Sequence, residues 1–132
     1  MSRTIRHICI TDDDPDDYYL FQTALQEVDP SVKLTWFDNC ADLLHFLHIG
    51  DDLPDLLILD MNMPGNGEFQ CLKAIKKEAK TLHLPVIIYS TSSTPQLAKN
   101  ALEYGAHSYQ VKPSAFDRIK ELIQDMLLIS IL

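Results

Sequence analysis

Residues 56–65 read LLILDMNMPG, and this stretch decides how the rest of the chain is interpreted. Its first four residues are continuously apolar and lead into Asp60, which is typical of a strand covered on both faces in a parallel sheet. The turn-forming residues that follow, among them Pro64 and Gly65, predict a loop at the carboxyl end of this strand. Asp60 would then lie at the edge of the sheet where such folds bind their ligands.

Strand patterns alternate with helical patterns along the whole chain. The predicted strands are Arg6–Thr11, Val32–Phe37, Leu56–Asp60, Pro85–Ser90 and Ser108–Val111. Helices are predicted at Asp17–Val28, Cys40–Ile49, a third segment from about Phe69 to the lysines ending at Lys80, Gln96–Tyr104 and Ala115–Leu127. Five strands in strict alternation with five helices predict an α/β fold, a parallel sheet with helices on both faces.

The composition limits the classes of protein to consider. With 132 residues, 46% hydrophobic and 23% charged, the chain suits one ordinary globular domain. Its apolar runs are shorter than the ~20 residues of a membrane helix, and its N-terminus does not predict a secretory signal. A net charge of −8 argues against general nucleic-acid binding. Cys9, Cys40 and Cys71 form no CxxC pair, which predicts reduced thiols, as in a cytoplasm.

The acidic residues are concentrated in the first half of the chain. Residues 1–60 contain 13 acids and 3 bases, whereas residues 61–132 contain 6 acids and 8 bases. Five of the acids lie in DDDPDD at residues 12–17, directly after the first predicted strand. Asp14, Asp16 and Asp17 are interpreted as caps and favourable charges at a helix N-terminus.

The other two acids of that run belong to a set of polar residues at predicted strand ends. Asp12, Asp13, Asp60, Ser90 and Lys112 are expected at one edge of the sheet. Three carboxylates in one crevice repel each other and need a cation, and an all-oxygen set favours Mg²⁺. With a hydroxyl and an ammonium group beside it, such a site suits phosphoryl transfer in which a carboxylate attacks an activated donor.

Four motifs make the chain resemble a response-regulator receiver domain of two-component signalling, because their order matches that family and their spacing is close to it. They are ICITDDDP at 8–15, LLILDMNMPG at 56–65, PVIIYSTSS at 85–93 and GAHSYQVKP at 105–113. The resemblance covers residues 6 to about 127 and implies a doubly wound, flavodoxin/CheY-like sheet with strand order 2-1-3-4-5. We expect one stand-alone receiver domain over 1–132, with its core at about 6–127, an apolar tail at 128–132 and no output domain.

The resemblance implies a phosphoacceptor and a metal site. Asp60 would accept the phosphoryl group. Asp12, Asp13, Asp60 and the backbone carbonyl of Asn62 would hold Mg²⁺, or Mn²⁺ in its place. The side chains of Asn62 and Ser92 would tune dephosphorylation.

The resemblance also implies a switch. The Ser90 hydroxyl would bond the phosphoryl group, and Lys112 would form an ion pair with it. Tyr109 would be the aromatic residue that moves inward with Ser90, and Pro113 would follow a cis peptide bond. The face built by the fourth helix, the fifth strand and the fifth helix would bind partners, including a second copy in a homodimer.

The implied function is that of a two-component response regulator. It would take its phosphoryl group from a histidine kinase or histidine phosphotransfer protein and control an unknown downstream protein. We expect a bacterial, cytoplasmic protein with no nucleic-acid or membrane partner, and no enzyme activity beyond its own phosphotransfer and dephosphorylation. The five histidines, His7 included, are expected at the surface or its boundary, so the donor histidine would belong to another protein.

Two other functions stay open on the sequence. Thr91 and Glu68 depart from the usual family pattern. These departures leave open a pseudo-receiver that acts only as an interaction module and does not depend on phosphorylation. A metal-dependent phosphatase would use the same strand-end aspartate chemistry, and it would turn over small phosphoesters.

Overall fold

Parallel strands and helices alternate along the chain. The computed structural model describes residues 4–61, 69–92 and 94–129. Its elements are β1 (His7–Thr11), α1 (Pro15–Val28), β2 (Lys33–Phe37), α2 (Cys40–Ile49), β3 (Leu56–Asp60), α3 (Gln70–Lys77), β4 (Val86–Ser90), α4 (Pro95–Glu103), β5 (Ser108–Val111) and α5 (Phe116–Met126). All pairings are parallel, and the strand order is β2-β1-β3-β4-β5. The predicted fold class and strand order are therefore confirmed.

The three central strands are buried along their whole length, as their continuous apolar sequences predict. Successive residues of β3 point to opposite faces, so Ile58 packs towards α1 and α5 while Leu59 packs towards α2, α3 and α4. A shift of one residue would exchange these two sets, so the hydrophobic pattern fixes the register. This register brings Asp60 to the carboxyl edge of the sheet.

Polar caps turn the chain from the carboxyl end of a strand into the next helix. Asp14 caps α1 by accepting a 2.9 Å hydrogen bond from the backbone N–H of Asp16, as predicted for one of these two acids. Thr94 caps α4 by accepting from the N–H of Leu97. These caps keep the loops short on the edge that carries Asp12 and Ser90.

The described helices are short, and none combines the length and apolar character that crossing a membrane requires. Of the apolar tail predicted at 128–132, Leu128 is exposed, and residues 130–132 lie outside the described part of the chain.

A disulfide joins α2 to α3. Cys40 begins α2 and Cys71 lies in the first turn of α3, with their Cα atoms 6.0 Å apart. The prediction of reduced thiols is therefore wrong for these two residues, because the folded chain packs the starts of both helices on one face of the sheet. Cys9 is a free thiol buried in β1, and burial raises its pKa to about 12.

His7 is also placed differently from expectation. It is buried at the start of β1, where Nε2 lies 2.8 Å from Thr35 Oγ1 and Nδ1 has no hydrogen-bond partner among the described residues. Burial lowers the pKa of His7, and the charge of Lys33 lowers it further, while Asp52 and Asp55 oppose the shift. The folded protein therefore favours the neutral imidazole.

Reduction of the disulfide should destabilise the protein. The two cysteines are 31 residues apart, and releasing a loop of this size costs about 3–4 kcal/mol of unfolding free energy in the chain-entropy account. We expect this loss in urea unfolding of the wild type after addition of a phosphine reductant. Cys9→Ala should keep the response to reductant and Cys40→Ala should lose it. An unchanged free energy of unfolding of the wild type after addition of the reductant would contradict the disulfide.

The lowered pKa of His7 should appear in the pH dependence of stability. Because the native state binds the imidazole proton less readily than the unfolded state, this contribution is present above the unfolded pKa of about 6.5 and is lost as pH falls below it. His7→Gln should lose less unfolding free energy than the wild type between about pH 7.5 and about pH 5.5. The same change at the exposed His83 should leave the wild-type dependence, and equal pH dependence in all three proteins would refute this origin.

Candidate functional site

The predicted strand-end carboxylates come together at the carboxyl edge of the sheet. One oxygen each of Asp12, Asp13 and Asp60 lies within 4.8 Å of the others. Asp12 and Asp60 are buried at the ends of β1 and β3, while Asp13 is exposed. The three oxygens are hard ligands of the kind that Mg²⁺ or Mn²⁺ takes, and the exposed Asp13 leaves the group open to solvent on one side.

Lys112, directly after β5, brings the positive charge to this edge. Its Nζ lies 2.8 Å from Asp12 Oδ2, 2.9 Å from Asp17 Oδ2 and 3.2 Å from Asp60 Oδ2. An ammonium group has three N–H donors, and here each has a carboxylate acceptor. Burial lowers the pKa of Lys112, but the hydrogen bonds to Asp12 and Asp17 outweigh it and raise the pKa well above the ordinary value. The lysine is therefore charged.

One lysine does not balance the acids around it. Burial raises the pKa of Asp12, and the nearby charge of Asp60 raises it further, while hydrogen bonds from Lys112 and from the backbone N–H of Asp14 partly offset the shift. Four carboxylates, those of Asp12, Asp13, Asp17 and Asp60, share a single ammonium group. The surplus of negative charge makes this edge a favourable place for a cation.

Asp17 is a member of the site that the sequence interpretation missed. The sequence pattern predicts that it contributes charge at a helix N-terminus, but its carboxylate accepts a hydrogen bond from Lys112. The signal was present in the helical spacing, because Asp17 lies four residues before the fully buried Phe21 and therefore on the same face of α1. A carboxylate on the buried face of a helix needs a partner, and Lys112 supplies it.

Ser90, Ser92 and Tyr109 form a connected group on the side of Asp60 where β4 and β5 lie. Ser90 is fully buried, and its Oγ accepts a 3.3 Å hydrogen bond from the backbone N–H of Ser92. The hydroxyl of Tyr109 donates to the backbone carbonyl of Ser92 and lies 3.6 Å from Met61 Sδ. The structure thus links the predicted hydroxyl position on β4 to the predicted aromatic switch on β5.

Two further predictions have different outcomes. Asn62, predicted as a metal ligand and as a tuning residue, lies outside the described residues, as does Glu68. No peptide bond in the described part of the chain is cis, so the predicted cis bond before Pro113 is wrong.

The backbone N–H of Lys112 donates to the carbonyl of Ser90 at 2.7 Å, which holds the end of β5 against β4.

An aromatic pair supports the acidic edge from the side of β2. Trp36 Nε1 donates a 2.8 Å hydrogen bond to the backbone carbonyl of Asp12. The ring of Tyr18 stacks on Trp36, with 4.4 Å between centroids and an interplanar angle of 8°. The indole is therefore in direct contact with a residue of the carboxylate group.

Comparisons with known proteins identify the family of the chain. A sequence model of the family described as "Response regulator receiver domain" matches residues 8–124. The two-component response regulator ORR8 of rice (Oryza sativa subsp. indica) is 31% identical over 107 residues, 81% of this chain and 86% of the relative.

Two solved structures share the fold. The Mn²⁺-bound form of response regulator Rcp1 aligns with a TM-score of 0.85 at 20% identity, covering 96% of this chain and 99% of its own. The phosphorylated cyanobacterial phytochrome response regulator RcpA aligns with a TM-score of 0.82 at 20% identity, covering 92% and 91%. The chain belongs to the response regulator receiver domain family, and it is a two-component response regulator.

Proposed function

We propose that this receiver domain accepts a phosphoryl group on Asp60 from a phosphohistidine of a histidine kinase or histidine phosphotransfer protein, in a reaction that requires Mg²⁺. One observation carries the proposal. The buried Asp60 carboxylate lies 3.2 Å from the Lys112 ammonium and within 4.8 Å of carboxylate oxygens of Asp12 and Asp13. Positive charge and candidate metal ligands thus surround a single carboxylate at a strand end.

The metal ligands in this proposal are Asp12, Asp13 and Asp60. Their oxygens suit a hard divalent cation, and the unbalanced negative charge around Lys112 favours one. The relative Rcp1 was solved with Mn²⁺ bound, which supports Mn²⁺ as a substitute for Mg²⁺. When bound, the cation would neutralise charge on the phosphoryl oxygens. The backbone carbonyl of Asn62 stays a predicted fourth ligand.

The chemistry proposed for Asp60 is an attack by its carboxylate oxygen on phosphorus. The new O–P bond forms while the P–N bond to the donor histidine breaks, and the released imidazole takes up a proton. Lys112 stabilises the Asp60 carboxylate before the reaction and would contact a phosphoryl oxygen after it. The relative RcpA was solved in its phosphorylated form, which supports an acceptor site on this fold.

The proposed switch runs through Ser90. When its hydroxyl bonds the phosphoryl group, its contact with the N–H of Ser92 would change, and Tyr109 is tied to the carbonyl of the same residue. The phosphoryl group adds ~1.5–2 negative charges, enough to bias an equilibrium between two conformations. Ser92 and Asn62 would tune dephosphorylation.

The output proposed for this switch is a protein contact on the face of α4, β5 and α5. Leu102, Tyr104 and Val111 are large side chains that are exposed in this part of the molecule. A downstream protein or a second copy of the chain would bind there. A cytoplasmic setting and a bacterial source are part of this proposal, as is a receiver domain that covers residues 1–132.

The metal site should be detectable through Trp36. Because its indole contacts the Asp12 carbonyl, titration with Mg²⁺ should change the tryptophan fluorescence in a saturable way. Asp13→Asn should weaken Mg²⁺ binding by roughly tenfold or more, since it removes one charged ligand of three. Asp38→Asn removes the same charge from an exposed position outside this group and should bind Mg²⁺ like the wild type. Equal affinities of the two variants would count against the site.

Phosphorylation should be measurable by intact-protein mass spectrometry. Incubation with Mg²⁺ and phosphoramidate should add one phosphate to the wild type, and Asp60→Asn should add none because the nucleophile is lost. Ser90→Ala should keep the acceptor but alter the rate of labelling. Lack of labelling in the wild type would favour the pseudo-receiver, and steady turnover of small phosphoesters would favour the phosphatase.

A further inference from the structure

Asp17 forms an ion pair with Lys112 but is not one of the proposed metal ligands. Its Oδ2 lies 2.9 Å from Lys112 Nζ, close to the 2.8 Å of Asp12 and shorter than the 3.2 Å of Asp60. Its side chain is 30% exposed, whereas those of Asp12 and Asp60 are 1% and 4% exposed. Asp17 therefore holds the ammonium from the solvent side of the site.

The position of Asp17 is fixed by the packing of α1. Phe21, one helical turn further on, is fully buried and meets the ring of Tyr89 edge-on, with 5.9 Å between centroids. Lys112 Nζ lies 5.6 Å from the centroid of the same Tyr89 ring. Helix α1 and the lysine are thus both packed on one residue of β4, which keeps the Asp17 carboxylate beside the ammonium.

Lys112 has no donor to spare in this state. Its three N–H groups already have three carboxylate acceptors, and phosphorylation converts one of these, Asp60, into an acyl phosphate. To follow the phosphoryl oxygens away from Asp60, the ammonium has to move, and it can do so only by giving up Asp12 or Asp17. Loss of Asp12 would leave a buried carboxylate without its cation, which is costly. Loss of Asp17 costs less, because its partly exposed carboxylate can be hydrated.

We propose that Asp17 is a positioning residue that restrains Lys112 in the unphosphorylated protein and must release it before the ammonium can reach the phosphoryl group. The inference rests on the proposed phosphorylation of Asp60. The contact stabilises the unphosphorylated ground state and is absent from the transition state and from the phosphorylated state. It therefore slows phosphorylation and leaves dephosphorylation unaffected.

Asp17→Asn tests this restraint. The wild type and the variant are labelled with phosphoramidate at saturating Mg²⁺, so that a change in metal affinity does not affect the rates. Labelling of Asp17→Asn should be about two- to fivefold faster than that of the wild type, the range expected for loss of a partly exposed ion pair. Hydrolysis of the phosphorylated forms, followed after removal of the phosphodonor, should proceed at equal rates.

Two further variants separate the contact from charge and folding. Asp16→Asn removes the same charge from the same turn of α1, at an exposed residue. The three hydrogen bonds of the Lys112 ammonium are donated to other carboxylates, so this variant leaves them in place. Asp17→Glu keeps a carboxylate at the position. Asp16→Asn should label at the wild-type rate, and Asp17→Glu should label more slowly than Asp17→Asn because it keeps a charged acceptor near Lys112.

The outcomes distinguish this inference from the proposed function. A wild type that is not labelled refutes the proposed function itself. If the wild type is labelled, an unchanged or slower rate in Asp17→Asn refutes the restraint alone. An equal acceleration in Asp16→Asn refutes it as well, because charge and not the contact with Lys112 would then explain the rate. Parallel changes in labelling and hydrolysis would also overturn it.

Discussion

The arrangement of the functional edge depends on the ion pairs that Lys112 makes with Asp12 and Asp60. The three residues lie at the ends of three different strands. In sequence, Asp12 is 100 residues and Asp60 is 52 residues from Lys112. Burying carboxylates without a compensating charge costs several kcal/mol per ion, so the sheet can carry these acids only because β5 delivers the lysine beside them. The compensation is incomplete, and the remaining negative charge is the physical basis of a cation site.

Much of this edge could be predicted from sequence because a parallel sheet translates local pattern into position. Each buried apolar run ends at the same edge, so the residues at or after these ends, among them Asp12, Asp60 and Ser90, are predicted to meet there. The structure brings the carboxylates together and places Ser90 directly after Tyr89, the partner of Asp60 on β4. The strand order came from the family resemblance, since hydrophobic periodicity does not tell which strands are neighbours. The roles of the individual residues stay predictions.

Three differences between the sequence interpretation and the structure have a common physical origin. The disulfide of Cys40 and Cys71, the burial of His7 and the ion pair of Asp17 all depend on which element packs against which. Helical periodicity shows that Asp17 shares a face with Phe21, but only the assembled fold shows that Lys112 lies opposite that face. Local sequence thus specifies the buried side of an element and not its partner.

The Cys40–Cys71 link has a consequence for the dynamics of the acceptor site. The chain between the two cysteines includes all of β3 and Asp60, so the central strand belongs to a covalently closed ring. A local opening that separates α3 from the sheet cannot proceed independently of α2 while this ring is closed. We therefore expect α2, β3 and α3 to exchange their amide hydrogens as one cooperative unit, which couples the slow opening motions of two helices to the strand that carries the proposed phosphoacceptor.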